Sequence, residues 1–489
     1  MHFRSSELHR ESRRWVQEDF MRIILQDRTN IGNARIGGLQ KALNITDAQY
    51  SLSLTVTYSR FQNKPDTPQN REAGARRTEP PTKPARKAYI GPHILMPTMV
   101  VSWGIVATLQ GLVKNYRGLL AARFFLGLCE AGGLLPGVSL YIASFYPRSI
   151  LQLRLALLFT ATSLAGAFSG LLASGILHMD GIGGLDGWAW IFILEGILTV
   201  IIGIGIAFIL PSSIRTAKYL TLAEKDAAES ALFASHGTPG VSRDSKVNAA
   251  QVIQTLTSPH LWLMCPLFFF NGTRLFGLAV FAPSIVNALI GNHPVRAQLL
   301  TVPPYAVAFV TCLAAAFVSD RWGRRGACTI VFSTISIVGY AIFLRSHNRA
   351  VNYFALFLQT VGAYGVPPAI TAWTANNFAP HYKRATALAI VLILSVAGGI
   401  LSTWIFTDPP RYARATTINL AFSVAEVVFA VLNILYLRRL NHTKQHEKKT
   451  KQDRAGVTEK GGEESGSSDA DADVRKEVDD RDAGFLYTL

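Results

Sequence analysis

LALLFTATSLAGAFSGLLASGIL, residues 155–177, runs for 23 residues without a charged side chain. Inside a bilayer every backbone N–H and C=O must be satisfied within its own segment, and a hydrocarbon core of about 30 Å takes about 20 residues of helix. This stretch is long enough to cross. Reading outward from it, further apolar runs lie near 94–113, 118–145, 188–210, 261–290, 299–318, 327–344, 351–377, 385–407 and 415–437. A transmembrane barrel would alternate apolar and polar residues instead. Gly and Pro recur inside the runs, as in GAYGVPPAITAW (362–373); a soluble helix would break there, but a membrane bundle uses such residues for close packing and hinges. The chain is therefore expected to be an all-α polytopic membrane protein, embedded in a lipid bilayer.

Composition agrees. Of 489 residues 49% are hydrophobic and 16% charged, well below the quarter usual in soluble domains. Mean hydropathy is +0.24 although both ends are polar. The 48 Lys and Arg outnumber the 32 acids, yet no basic stripe interleaved with exposed aromatics lies outside the apolar runs, which argues against nucleic acid as a partner. Cys129, Cys265, Cys312 and Cys328 lie in or beside apolar runs and form no CxxC pair, so neither a disulfide framework nor a metal site is implied. HExxH, DDxxD and Gly-rich phosphate loops are missing from the sequence; no cofactor and no enzymatic activity are expected. The first residues, MHFRSSELHRESRRW, carry charge where a signal peptide would need an apolar core.

Loop charge orients the chain. The segments 146–154, 211–260, 319–326 and 379–384 hold 12 Lys/Arg, the alternate segments hold 7, and the stretch 60–93 adds eight to the first set. Cytoplasmic loops are the basic ones, so that set and both termini are expected in the cytoplasm. The domain reading is a disrupted segment at 1–93, the rest of an N-terminal helical half at 94–210, a central loop at 211–258, a C-terminal half at 259–437 and a disordered polar tail at 438–489.

The loop SDRWGRRG (319–326) resembles the signature of the major facilitator superfamily: a glycine permits a tight turn, and Asp320, Arg321, Gly323, Arg324 and Arg325 suit charge-assisted bonds between helix ends. DRTNIGNARIGGLQKAL (27–43), GLLAARFFLGLCEAG (118–132), FYPRSILQLRLAL (145–157), GWAWIFILEGILTV (187–200) and NFAPHYKRATALAI (377–390) together resemble one fungal branch of it, the allantoate permease family of anion:cation symporters. The resemblance runs from about Gly91 to Leu437, with an island near 24–55. It implies twelve spans in two halves that rock about a central site. It also implies a small organic anion as substrate (allantoate, nicotinate, pantothenate or related compounds), usually carried with protons by a monomer in the plasma membrane.

Charges within spans are costly and call for a role. Arg123 and Glu130 stand seven residues apart, two helical turns on one face and about 10 Å along the axis. The resemblance gives the arginine a part in organising the anion site and the glutamate that of proton carrier; an internal helix-locking network is the alternative. Asp27 and Arg28 match the family's first-span pair, for proton coupling and the substrate carboxylate. A guanidinium fork binds a carboxylate at two points. Asn271 and Arg274 lie mid-span in FFFNGTRLFGLAVFAP, Arg274 as a third anion contact or a private variant, and Asn376 and Asn377 either bind substrate or cap a helix. Glu195 and Glu426 are further intramembrane acids, the first read as structural.

The beginning departs from the family. ELHRESRRWVQEDFMRIILQ stands where an apolar run should lead into Asp27, and SLSLTVTY gives way to SRFQNKPDTPQNREAGARRTEPPTKPARKAYI, which cannot cross a bilayer. Spans one and two are thus incomplete, through translated non-coding sequence or decay of a paralogue. The function expected is a proton-coupled anion symporter; the alternative is a non-transporting membrane sensor or decayed paralogue.

Overall fold

The computed structural model describes residues 30–59, 92–131, 141, 164–217, 220–236, 249–291, 293–322, 324–379, 381–407, 412–459 and 487–488. Among them the regular elements are helical. In chain order they are α1 (residues 30–42), α2 (Asp47–Ser59), α3 (Pro92–Gln110), α4 (Tyr116–Ala131), α5 (Leu164–Met179), α6 (Gly187–Ile209), α7 (Leu222–His236) and α8 (Ala249–Leu256). The second half holds α9 (Pro259–Ile290), α10 (Pro294–Trp322), α11 (Arg325–Arg345), α12 (Arg349–Asn377), α13 (His381–Ile405) and α14 (Ala413–Glu459). Among the described residues, six helices are long and apolar enough to cross a membrane, lying at Gly187–Ile209, Pro259–Ile290, Pro294–Ala315, Arg325–Arg345, Lys383–Ile405 and Ala413–Lys448. The apolar runs at 118–145 and 155–177 lie partly outside the described residues.

The first two described helices dock on the rest of the bundle. α1 is a wide-turn helix at Arg35–Leu39, bent where Gly38 takes φ 105°, and it packs on α6 and α9. Its end is set by a capping box. The Thr46 hydroxyl accepts from the Gln49 amide (3.3 Å) and the Gln49 side chain accepts from the Thr46 amide (3.0 Å), which satisfies two donors at the start of α2. α2 then lies against α4 and α13.

Within each half, small residues bring backbones together. α3 and α6 meet through Gly104 and Gly196: a Cβ on Gly104 would stand 2.8 Å from the Gly196 carbonyl oxygen, and one on Gly196 2.6 Å from the Thr108 nitrogen. With lipid as apolar as leucine, such close van der Waals contact is the main attraction between spans. In the second half α11 packs on α12 and α14, and α9 on α13 and α14.

Two stretches outside the apolar runs also hold helix. The central loop contains α7, opened by a second capping box between Thr221 and Glu224, and α8, which packs on α13. The tail does not become irregular at 438: α14 continues to Glu459. Its continuation, RRLNHTKQHEKKTKQDR, contains no Pro or Gly and many good helix formers. Hydropathy marks where a helix leaves lipid, not where it stops.

Candidate functional site

The two halves touch along α1, α2 and α5 on one side and α9, α10 and α13 on the other. α1 approaches α9 closely because Gly32 carries no side chain; any Cβ there would collide with the Val280 carbonyl oxygen. One turn on, the Arg35 guanidinium lies 4.7 Å from the Tyr50 ring centroid and 5.4 Å from that of Phe281. Asp47 holds it from behind at 2.6 Å. Phe281 stacks on Phe406 with centroids 4.6 Å apart and planes 6° from parallel, and Tyr412 abuts both. The Trp404 indole N–H donates to the Thr55 hydroxyl (2.9 Å), which also meets Thr403 (3.2 Å). The Gln298 side chain donates to the Asn33 carbonyl (3.4 Å). These contacts lie toward the end of the bundle where Leu43 and Ile45 follow α1, Phe406 follows α13 and Tyr412 precedes α14. One apolar core, with Ile31, Tyr50 and Leu54 from the first half and Phe281, Ile405 and Phe406 from the second, fills the seam.

Deeper in the first half lies a polar chain. The Asn30 amide donates to Glu195 (2.5 Å), the Ser169 hydroxyl donates to the Asn30 carbonyl oxygen (3.2 Å), and the Asn33 amide donates to Ser169 (2.6 Å). Asn30, Asn33, Ser169 and Glu195 are all buried. They tie α1 to α5 and α6, and Gln298 extends the chain to α10. Arg123 on α4 is also buried, with its guanidinium carbon 5.8 Å from the Phe192 ring. In the second half Arg274 and Glu426 are fully buried and form an ion pair; the Ser333 hydroxyl also donates to Glu426 (2.6 Å), and Arg274 donates to Ser423 (2.9 Å). Arg274 thus points toward α11 and α14, away from the seam. Asn271, one turn earlier, donates to the Ala363 carbonyl on α12 (3.1 Å).

A model of the Major Facilitator Superfamily matches residues 88–403. The chain belongs to that superfamily. An uncharacterized transporter of Schizosaccharomyces pombe is 33% identical over 95% of this chain and 86% of its own length. The high-affinity nicotinic acid transporter of Saccharomyces cerevisiae is 30% identical, covering 86% of this chain and 75% of that protein. Among solved structures, a bacterial homolog to the human lysosomal transporter Spinster aligns with a TM-score of 0.63 at 15% identity, over 87% of this chain and 95% of that one. The all-α major facilitator fold expected from sequence is therefore the fold of this chain, and it is an integral membrane transporter of the superfamily.

Of the residues singled out in sequence, Asp27, Arg28 and Gly323 lie outside the described residues. Glu130 stands on α4 with Arg123, but its side chain lies outside them, as do those of Asp320 and Arg321 at the end of α10. Arg324 precedes α11 and is exposed; Arg325 opens it, half-buried. Asn376 is half-buried near the end of α12. The exposed Asn44 occupies the turn between α1 and α2 with φ 55°. The four cysteines are free thiols. Sequence reading passed over Asn30, Asn33, Ser169 and Gln298. The signal was present for two of them: Asn30 and Asn33 stand three apart within DRTNIGNARIGG, on one helical face.

Proposed function

We propose that the chain is a proton-coupled symporter of a small organic anion, of the carboxylate or vitamin class. It belongs on this reading to the allantoate permease branch and acts by alternating access, as a monomer in the plasma membrane with both termini cytoplasmic. The observation that carries this is the buried Arg123 in a chain 30% identical to a nicotinic acid transporter over 86% of its length. An arginine held in a low-dielectric interior attracts a carboxylate far more strongly than one in water. Arg28, Asn271 and Asn376 add contacts to the anion, and Asp27 and Glu130 carry the proton. Arg274 has its charge matched by Glu426, so its part is to hold α9 against α11 and α14. The loop from Asp320 through Arg321, Gly323, Arg324 and Arg325 joins the ends of α10 and α11 as they rock.

The test is uptake of radiolabelled nicotinate and related carboxylates by cells expressing the chain, with and without a protonophore. Uptake that the protonophore abolishes, and that Arg123→Lys and Glu130→Gln remove at unchanged expression, is expected. Proton-driven uptake persisting in Glu130→Gln would end the proton role. A second reading, a non-transporting sensor, draws on the sequence SRFQNKPDTPQNREAGARRTEPPTKPARKAYI that follows SLSLTVTY and is too polar to cross a bilayer. Saturable binding of the anion without uptake would select it.

A further inference from the structure

Tyr487 and Thr488 sit against the bundle at the ends of α12 and α14. The side chain of Asn441 pairs with both backbone groups of Tyr487: its amide donates to the carbonyl (2.9 Å) and its oxygen accepts from the Tyr487 N–H (2.8 Å). Asn377, the last residue of α12, treats Thr488 the same way, donating to its carbonyl (3.0 Å) and accepting from its N–H (2.8 Å). The Asn377 oxygen also accepts from the Thr488 hydroxyl (2.9 Å), and the Trp373 indole N–H donates to the Thr488 carbonyl (2.9 Å). The Lys444 ammonium lies 4.4 Å from the Tyr487 ring centroid.

Two asparagine side chains reading two successive backbones is the hydrogen-bond pattern of a peptide-binding site, and the hydroxyl contact adds selection for the side chain. Asn377 and Trp373 are almost wholly buried; without the dipeptide their polar atoms would lose these partners at a buried surface. We propose that the ends of α12 and α14 form a receptor for the chain's own Tyr487–Thr488 dipeptide, and that docking holds it beside the signature loop. The loop is adjacent because a Cβ on Gly326, at its last position, would lie 2.9 Å from the Trp373 ring. The helix supplies the geometry: Asn441 and Lys444 both lie on the part of α14 beyond the apolar run ending at 437. From there to Glu459 the helix runs about 27 Å, and residues 460–486 are long enough to cover that distance back several times over. Release follows from the same geometry. A phosphate on Thr488 removes the proton its hydroxyl donates to Asn377 and sets a bulkier acceptor-only group against the Asn377 side-chain oxygen, which is itself an acceptor there.

Hydrogen exchange of the full chain in detergent tests this, with no transported substrate needed. The Tyr487 and Thr488 amides are expected to exchange at least about tenfold more slowly than in a free peptide of residues 484–489. Asn441→Ala, at a half-buried position beyond the apolar run ending at 437, is expected to restore the free rate with the rest of the exchange map unchanged. A fluorescent 484–489 peptide is expected to bind saturably to the chain truncated before Gly484, and the Thr488-phosphorylated peptide to bind at least about tenfold more weakly. Free-peptide exchange at both amides in the full chain, or equal binding of a scrambled peptide, overturns the proposal.

Discussion

Removing the charge of Glu426 is the perturbation whose cost follows most directly from the structure. Glu426 and Arg274 are both fully buried, and Glu426 is the acid paired with Arg274. Glu426→Gln leaves an acceptor for Ser333 and nearly the same volume but strands the guanidinium. Breaking a buried pair by removing one partner costs about 3–5 kcal/mol, whereas replacing both partners by apolar groups of similar volume is often neutral or stabilising. The double variant Arg274→Met/Glu426→Met should therefore recover most of what the single variant loses, and the double-mutant cycle closed with the singles Arg274→Met and Glu426→Met should return a coupling of at least about 2 kcal/mol. Unfolding in detergent is commonly irreversible, so the readout is the half-life of monodisperse protein at a fixed raised temperature. At about 1.4 kcal/mol per decade of rate, a loss of 3 kcal/mol expressed in the unfolding barrier shortens that half-life by about a hundredfold. A Glu426→Gln half-life within twofold of the parent, or a double variant no better than the single, would refute the argument.

Other consequences can be checked in the same preparation. Arg35→Gln removes the cation from between Tyr50 and Phe281, a loss of about 1–2 kcal/mol; labelling of a cysteine placed at the buried Ser284 should quicken by about 5- to 30-fold, and unchanged labelling would count against that seam. Gly104→Leu drives a side chain into the Gly196 backbone, an overpacking cost of about 1–3 kcal/mol, seen as aggregation on size exclusion at a temperature the parent survives. The exposed Arg215–Glu229 pair, bidentate through Nε to Oε1 at 3.0 Å and Nη2 to Oε2 at 2.9 Å, holds the Glu229 carboxyl below its usual 4.5. Because the folded pKa is the lower one, this stabilisation is present above 4.5 and is lost as pH falls through the depressed folded value. Hydrogen exchange of α7 should accelerate there, and Glu229→Gln should show the fast exchange at neutral pH; a pH-independent α7 would contradict the pairing.

Apolar length is a local property, and the six candidate spans among the described residues were legible from it. Partnership across the bundle was not. Arg274 and Glu426 each stood out as a charge in an apolar run, but 152 positions separate them, and no helical spacing connects residues so far apart. Asn30 was hidden differently: the eye goes to Asp27 and Arg28, which carry charge, while the neutral asparagine one turn later makes the bond to Glu195. Glu195 itself, read as structural, does tie α1 to α6. The end of α14 was misplaced because its last turns are polar yet helix-forming, so the hydropathy boundary and the helix boundary differ. Asn377 shows the limit of residue type as a guide: a polar residue at a helix end suits a cap, a substrate contact or, as found, a grip on another segment.

The seam packed by Phe281, Phe406 and Tyr50 also bears on turnover. To open at that end the halves must unstack Phe281 from Phe406, slide Arg35 out from between two rings and separate Gly32 from Val280 together, because these contacts share one apolar core. Breaking such a contact set is a single barrier rather than a sequence of small ones. Opening the seam exposes that apolar and aromatic surface in one step, so its cost scales with the whole contact set. Whatever drives that opening must loosen the stacked rings of Phe281 and Phe406.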